Sequence, residues 1–137
     1  MSKKIDISKY QDYFHDGSLF NILKSNNKIT FEMSSAEIDP SEIEEDLIFS
    51  TDNRIRGILH LENINNIHIT GNYKLENLFD VFNLGTILDF EIIDKTVDLG
   101  ILWENCLPKL RTNEFTTIAI EAERIWWENM PDLQTHS

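Results

Sequence analysis

Ile87-Leu88-Asp89-Phe90-Glu91-Ile92-Ile93-Asp94-Lys95-Thr96-Val97-Asp98-Leu99-Gly100-Ile101-Leu102-Trp103-Glu104 alternates apolar and polar residues along most of its length, and that period of two decides the fold. In extended chain successive side chains point to opposite faces, so Leu88, Phe90 and Ile92 are expected to face inward, with Val97, Leu99, Ile101 and Trp103. Asp89, Glu91, Asp98 and Glu104 are then outside. The two runs are joined so tightly that a hairpin near Asp94-Lys95 follows.

The same pattern extends outward in both directions. Phe115 to about Arg124 reads as a further strand. Arg54 to Glu62 puts Ile55, Gly57, Leu59 and Leu61 on one side and Arg56, Ile58, His60 and Glu62 on the other. Ile67 and Ile69 repeat the inward pattern across Asn65-Asn66, with His68 and Thr70 outward, and Gly71-Asn72 ends that strand. Nearer the N-terminus, Leu19–Lys24 and Lys28–Ser34 flank Ser25-Asn26-Asn27 and read as a hairpin. Its second strand sends Ile29, Phe31 and Met33 inward and Thr30, Glu32 and Ser34 to a wet face.

Helical spacing is confined to short stretches. Asp6 can cap a turn or two that places Ile7, Tyr10 and Phe14 on one face before His15-Asp16-Gly17 breaks it. Asp39-Pro40-Ser41-Glu42 resembles a helix start reaching to about Leu47. Leu75, Leu78, Phe79 and Phe82 form an apolar stripe that closes near Gly85 and covers one end or face of the sheet. Isoleucine, at 19 of 137 residues, suits pleated surfaces better than close helix packing. The expected fold is mainly β: an antiparallel sheet or two-layer sandwich of about seven strands with one or two short helices. No repeat and no linker divides the chain, so residues 1–137 are read as a single domain.

Composition narrows the function classes. Asp and Glu number 24 against 12 Lys and Arg, a net charge of -12. Such a field repels nucleic acid and anionic membrane and favours cationic partners, although acidity also serves solubility alone. Between Ile29 and Asn53 stand Glu32, Glu37, Asp39, Glu42, Glu44, Glu45, Asp46 and Asp52 with no basic residue among them. Cys106 is the only cysteine, which excludes an intrachain disulfide, and it reads as a buried structural thiol. No apolar run approaches a membrane span, and Met1-Ser2-Lys3-Lys4 leads into Ile5-Asp6-Ile7 and not into a signal-peptide core, so the cytoplasm is the expected compartment.

Few side chains invite chemistry. Phe14, His15, Asp16 and Gly17 form the tightest cluster of reactive types, which reads as a structural turn motif in which Asp16 holds turn amides. His60 and His68 are expected on neighbouring strands, and with Glu62 they could hold a divalent ion if register brought them together. Without a fixed ligand spacing they read as ordinary strand histidines. Trp126 and Trp127 are consecutive, so in a strand they face opposite sides and one of them can serve as an interface anchor. No phosphate loop, nucleophile elbow or spaced zinc motif occurs, and no catalytic residue, metal ligand or cofactor is assigned.

Phe14-His15-Asp16 followed by Leu19–Leu23, then Gly57–Ile64, Ile67–Asn72 and Ile87–Ile92, resembles in order and spacing the small bacterial immunity proteins of polymorphic toxin systems, of the immunity protein 50 type. The resemblance implies a β-rich cytoplasmic antidote that binds a toxin and blocks it without catalysis of its own. Joined to the charge, it gives a non-catalytic, acidic inhibitor. Glu42, Glu44, Glu45, Asp46, Asp89 and Glu91 would then meet a basic toxin, with Trp126, Trp127 or Tyr73 as anchors. Two other readings stand beside it. One is a small-molecule or metal-binding β domain, or an enzyme, built around His15, His60 and His68. The other is an oligomeric scaffold whose sheet edge pairs with a copy of itself, a homodimer in its simplest form.

Overall fold

A computed structural model of the chain describes residues 5–43, 47–71, 73–105 and 113–133. Six strands run β1 (Gly17–Ser25), β2 (Lys28–Ser34), β3 (Arg56–Ile69), β4 (Leu84–Ile93), β5 (Thr96–Glu104) and β6 (Asn113–Asn129). All neighbours are antiparallel and the sheet closes on itself in the order β1-β2-β3-β6-β5-β4, so the mainly antiparallel β architecture takes the form of one barrel. Closure pairs every strand on both sides over part of its length, leaving an edge only where one strand outruns its neighbour, as β6 does beyond β5.

The strand count falls from the expected seven to six because Arg54–Glu62 and Ile67–Thr70 belong to one long β3. Asn63 adopts a left-handed φ of 58°, and the β3–β6 register shifts between Ile64 and Asn66. The polar Asn63–Asn66 run therefore marks a bulge and not a turn, since Asn tolerates left-handed backbone and its neighbours find local partners. Asn27 accepts hydrogen bonds from the backbone N–H groups of Asn63 and Ile64 at 2.9 Å, and Asn65 donates to Glu123. The two expected hairpins are present, with Ser25 opposite Lys28 and Ile93 opposite Thr96, and Asp94 supplies the left-handed residue of the second.

A six-stranded barrel is narrow enough for side chains to fill it. Ile29, Phe31, Met33, Leu59, Leu61, Ile101 and Trp103 are wholly buried inside, and the Trp103 indole donates to Thr116 Oγ1 at 2.7 Å. A 3-10 helix at Ile7–Phe14, capped by Asp6 accepting from the Ser8 N–H, buries Ile7, Tyr10 and Phe14. The Phe14 ring meets Phe90 and Trp127 edge-on. Toward the other end of β4, a 3-10 turn at Leu75–Asn77 runs into α1 (Leu78–Val81), and Phe82 stacks on Trp103. The Asp39 cap is as expected, but it starts only the three-residue turn Pro40–Glu42, after which the backbone at Ile43 is extended.

Two facing assignments differ from the alternation. Glu32 and Ser34 are buried although they point away from the barrel interior, with 8% and 2% exposure. Ile87, not Leu88, is the inward residue at the start of β4, because the β4–β5 register shifts between Ile87 and Asp89.

Candidate functional site

The bulge at Leu88 is the device that builds the most distinctive surface. Without it, an inward Ile87 would carry Asp89 into the core by the period of two; the extra residue resets the parity and turns Asp89 and Glu91 outward. His15 secures the bulge, its Nδ1–H donating to Leu88 O at 2.6 Å, and the Asp16 N–H donates to Ile87 O at 2.7 Å. Asp16 holds a φ of 69°, which its short polar side chain tolerates. The Phe14–Gly17 segment thus ties the first helix to β4 through the His15 ring and the Asp16 N–H; the Asp16 carboxylate, expected to hold turn amides, is exposed and lies 3.8 Å from His15 Nε2 instead.

Outward from this anchor lies a groove of about 570 Å3 along the outer face of β4 and β5. Glu91 stands directly opposite Asp98, and Asp89 stands opposite Gly100. Gly100 adds no side chain to the floor; a Cβ there would approach Phe115 at 3.1 Å and Asp89 at 3.4 Å. The first helix contributes Gln11 and Asp12 to one wall, pinned by the Ile92 N–H donating to Gln11 Oε1 at 3.0 Å. Thr117 of β6 bounds the other side. Four carboxylates therefore line the groove, with no Lys or Arg among the described residues that line it. Like charges placed directly across a strand pair repel, so this arrangement is held against its own electrostatics. It is suited to receiving guanidinium or ammonium groups, which would relieve that repulsion.

The remaining site residues of the sequence reading fall elsewhere. Glu42 is exposed on the β2–β3 connection and accepts from the Tyr13 hydroxyl at 3.5 Å. Glu44, Glu45 and Asp46 lie outside the described residues, as does Cys106. Trp127 is buried at 5% exposure in the barrel, with its indole donating to Asn129 Oδ1. Trp126 takes the outer face and stacks on His60, ring centroids 3.9 Å apart and planes within 5°. The two tryptophans do point to opposite sides, and neither lines the acidic groove. Tyr73 donates its hydroxyl to Glu114 and packs on Phe82.

The three histidines are not brought together. His60 and His68 share β3 and do not sit on neighbouring strands, and a bulge intervenes between them. His60 Nε2 meets Glu128 Oε1 at 2.8 Å, while Glu62 is engaged by Lys28 and Arg124. His15 lies at the end of the first helix, bonded to β4. Among the described residues no group of three or more His, Cys, Asp or Glu has the geometry to hold a metal ion, and no helix is long and apolar enough to cross a membrane.

Asp12, Gln11 and Asp98 are groove residues that sequence reasoning did not assign to a site. Asp98 was visible as an outward strand residue, and Asp12 lies off the Ile7–Tyr10–Phe14 face. The missing information was which strand the helix lies against, which no local pattern records. No protein family matches the chain, and no curated protein and no solved structure shows a significant similarity to it. Fold and groove together define a class and no more: a small antiparallel barrel with an acidic groove on its outer face.

Proposed function

We propose that the chain is a non-catalytic binding protein that blocks a cationic partner through the β4–β5 groove, in the manner of a cytoplasmic immunity-type inhibitor acting on a basic toxin. One observation carries the reading: Glu91 faces Asp98, flanked by Asp89 and Asp12, with no cationic side chain among the described residues that line the groove. A partner that supplies arginines or lysines there removes the repulsion on binding, and opposite fields speed the encounter. The net charge of -12 extends that steering beyond the groove itself.

The test compares the intact protein with the triple variant Asp89→Lys, Glu91→Lys, Asp98→Lys as baits in the native cell extract. A basic protein captured by the first and lost with the second is expected. Its association rate should then fall steeply as salt is raised. Retention of the same partner by the triple variant, or a captured partner that is acidic, overturns the proposal.

A further inference from the structure

β6 outlasts the strand beside it. Its pairing with β5 ends at Glu121 opposite Thr96, followed by a single bond from the Ala122 N–H to Lys95 O, whereas its pairing with β3 continues to Asn129. The Met130 N–H donates to Arg56 O, which with the constant register of Gly57–Glu62 fixes which residues bond to β3: Arg124, Trp126 and Glu128. Ile125 and Trp127 therefore turn their N–H and C=O groups the other way. Among the described residues no backbone group pairs with them there.

Beside that edge runs a groove of about 590 Å3, bounded on its far side by Ile5–Ser8 and by the Ile92–Lys95 turn region. It shares no lining residue with the acidic groove. Its cations are already engaged, Lys95 by Glu123 and Arg124 by Glu62, whereas Asp6 and Asp94 have no salt bridge among the described residues. The site thus offers two backbone donors, two backbone acceptors, an aliphatic lining from Ile5 and Ile92, and two carboxylates without a salt bridge among the described residues, Asp94 and the helix cap Asp6, which also accepts from Ser8. An extended backbone is the chemistry that satisfies all four edge groups at once, since strand addition pairs alternate residues.

We propose that the β6 edge at Ile125 and Trp127 accepts an extended segment of a partner protein as an added strand, with basic side chains meeting Asp6 and Asp94. This stands independently of the acidic groove on β4 and β5.

The experiment uses the whole chain, labelled with nitrogen-15. In the free protein the Ile125 and Trp127 amides should exchange with solvent much faster than those of Arg124 and Trp126; equal protection overturns the proposal. The peptide Lys-Val-Thr-Val-Lys is then titrated, with its fully backbone-N-methylated form and Glu-Val-Thr-Val-Glu as comparisons. Downfield shifts are expected at the Ile125 and Trp127 amides, with affinity reduced about tenfold by N-methylation and by the acidic flanks. Asp94→Asn, which keeps a side chain tolerant of left-handed backbone, should weaken the basic peptide about threefold. No shift at either amide with millimolar basic peptide, equal binding of the methylated form, shifts confined to the Asp89–Asp98 groove, or a dimer that protects these amides would each sink it. The last two leave the acidic-groove reading intact.

Discussion

On the outer face of β3 and β6, Glu62 meets Lys28 on one side and Arg124 on the other, His60 meets Glu128, and Trp126 lies between His60 and the Arg124 guanidinium. On the outer face of β4 and β5, Glu91 meets Asp98 and Asp89 meets a glycine. Both faces belong to the same closed sheet and obey the same alternation. The first uses its charges to fix register within the chain, pairing Glu62 with Lys28 and Arg124 and His60 with Glu128, although His60 Nδ1 and the Trp126 indole N–H are buried there without a partner among the described residues. The second leaves its carboxylates without a salt bridge among the described residues, which is what a surface needs if another molecule is to answer them.

The largest effect separates the packed inner side of β3 from the acidic outer face of β4 and β5, by a glycine-to-alanine change in each. Gly57 lies in β3 where a Cβ would sit 2.2 Å from Glu128 O and 2.9 Å from the Trp127 ring, backbone and packed core that cannot yield. Gly57→Ala should therefore cost about 3 kcal/mol or more in chemical denaturation, or prevent folding. Gly100→Ala meets the exposed Phe115 ring tip and the Asp89 side chain, both free to move, and should cost less than about 1 kcal/mol. It should nonetheless slow partner capture, because it raises the groove floor. Equal destabilisation at the two positions would erase the distinction.

Trp126→Ala comes next. It removes the stacking partner of His60 and the platform under Arg124, and should cost about 2 kcal/mol. Removing one charge from each face should then give opposite signs. Glu62→Gln breaks contacts with both Lys28 and Arg124 and should destabilise by about 0.5 to 1 kcal/mol, an effect that shrinks in high salt. Asp98→Asn relieves repulsion with Glu91 and should stabilise by a few tenths of a kcal/mol. A loss of stability in Asp98→Asn would show that the groove is internally compensated and remove its claim on a partner.

Much of this comparison was legible in the residues themselves. The outward directions of His60, Glu62, Asp89, Glu91 and Asp98 follow from alternation alone, as does the inward set on β2 and β5. Bulges are what alternation cannot see. The shift near Leu88 reversed the facing expected at the start of β4, and the one at Asn63–Asn66 disguised a single strand as two, because one extra residue inverts every later side chain. Closure was hidden for a different reason: β1 pairs with β4 through only Gly17–Leu19 and Gly85–Ile87, a contact between segments far apart in sequence. The acidic groove depends on such contacts, since Asp12 reaches it from a helix whose docking partner is set by the buried Phe14.

His15 joins the helix to the bulged strand, and its titration gives the finest probe of the acidic side. The Leu88 carbonyl first, then Asp16, and to a smaller degree Asp89 favour its charged form and hold its pKa above the usual 6.5. A histidine whose folded pKa is raised contributes its stability fully below the unfolded value and loses it as pH climbs through the folded one. The melting-temperature difference between the protein and His15→Gln should thus be fully present below the ordinary histidine value of 6.5 and fade as pH rises through the raised folded one, remaining small because the ring is exposed to solvent. In a nuclear magnetic resonance titration, Asp16→Asn should lower the His15 midpoint more than Asp89→Asn does. A midpoint at or below 6.5 would mean that the Leu88 carbonyl does not hold the imidazolium. The bulge that turns Asp89 and Glu91 outward would then rest on the neutral ring's Nδ1–H and the Asp16 N–H alone, and lowering the pH would not tighten it.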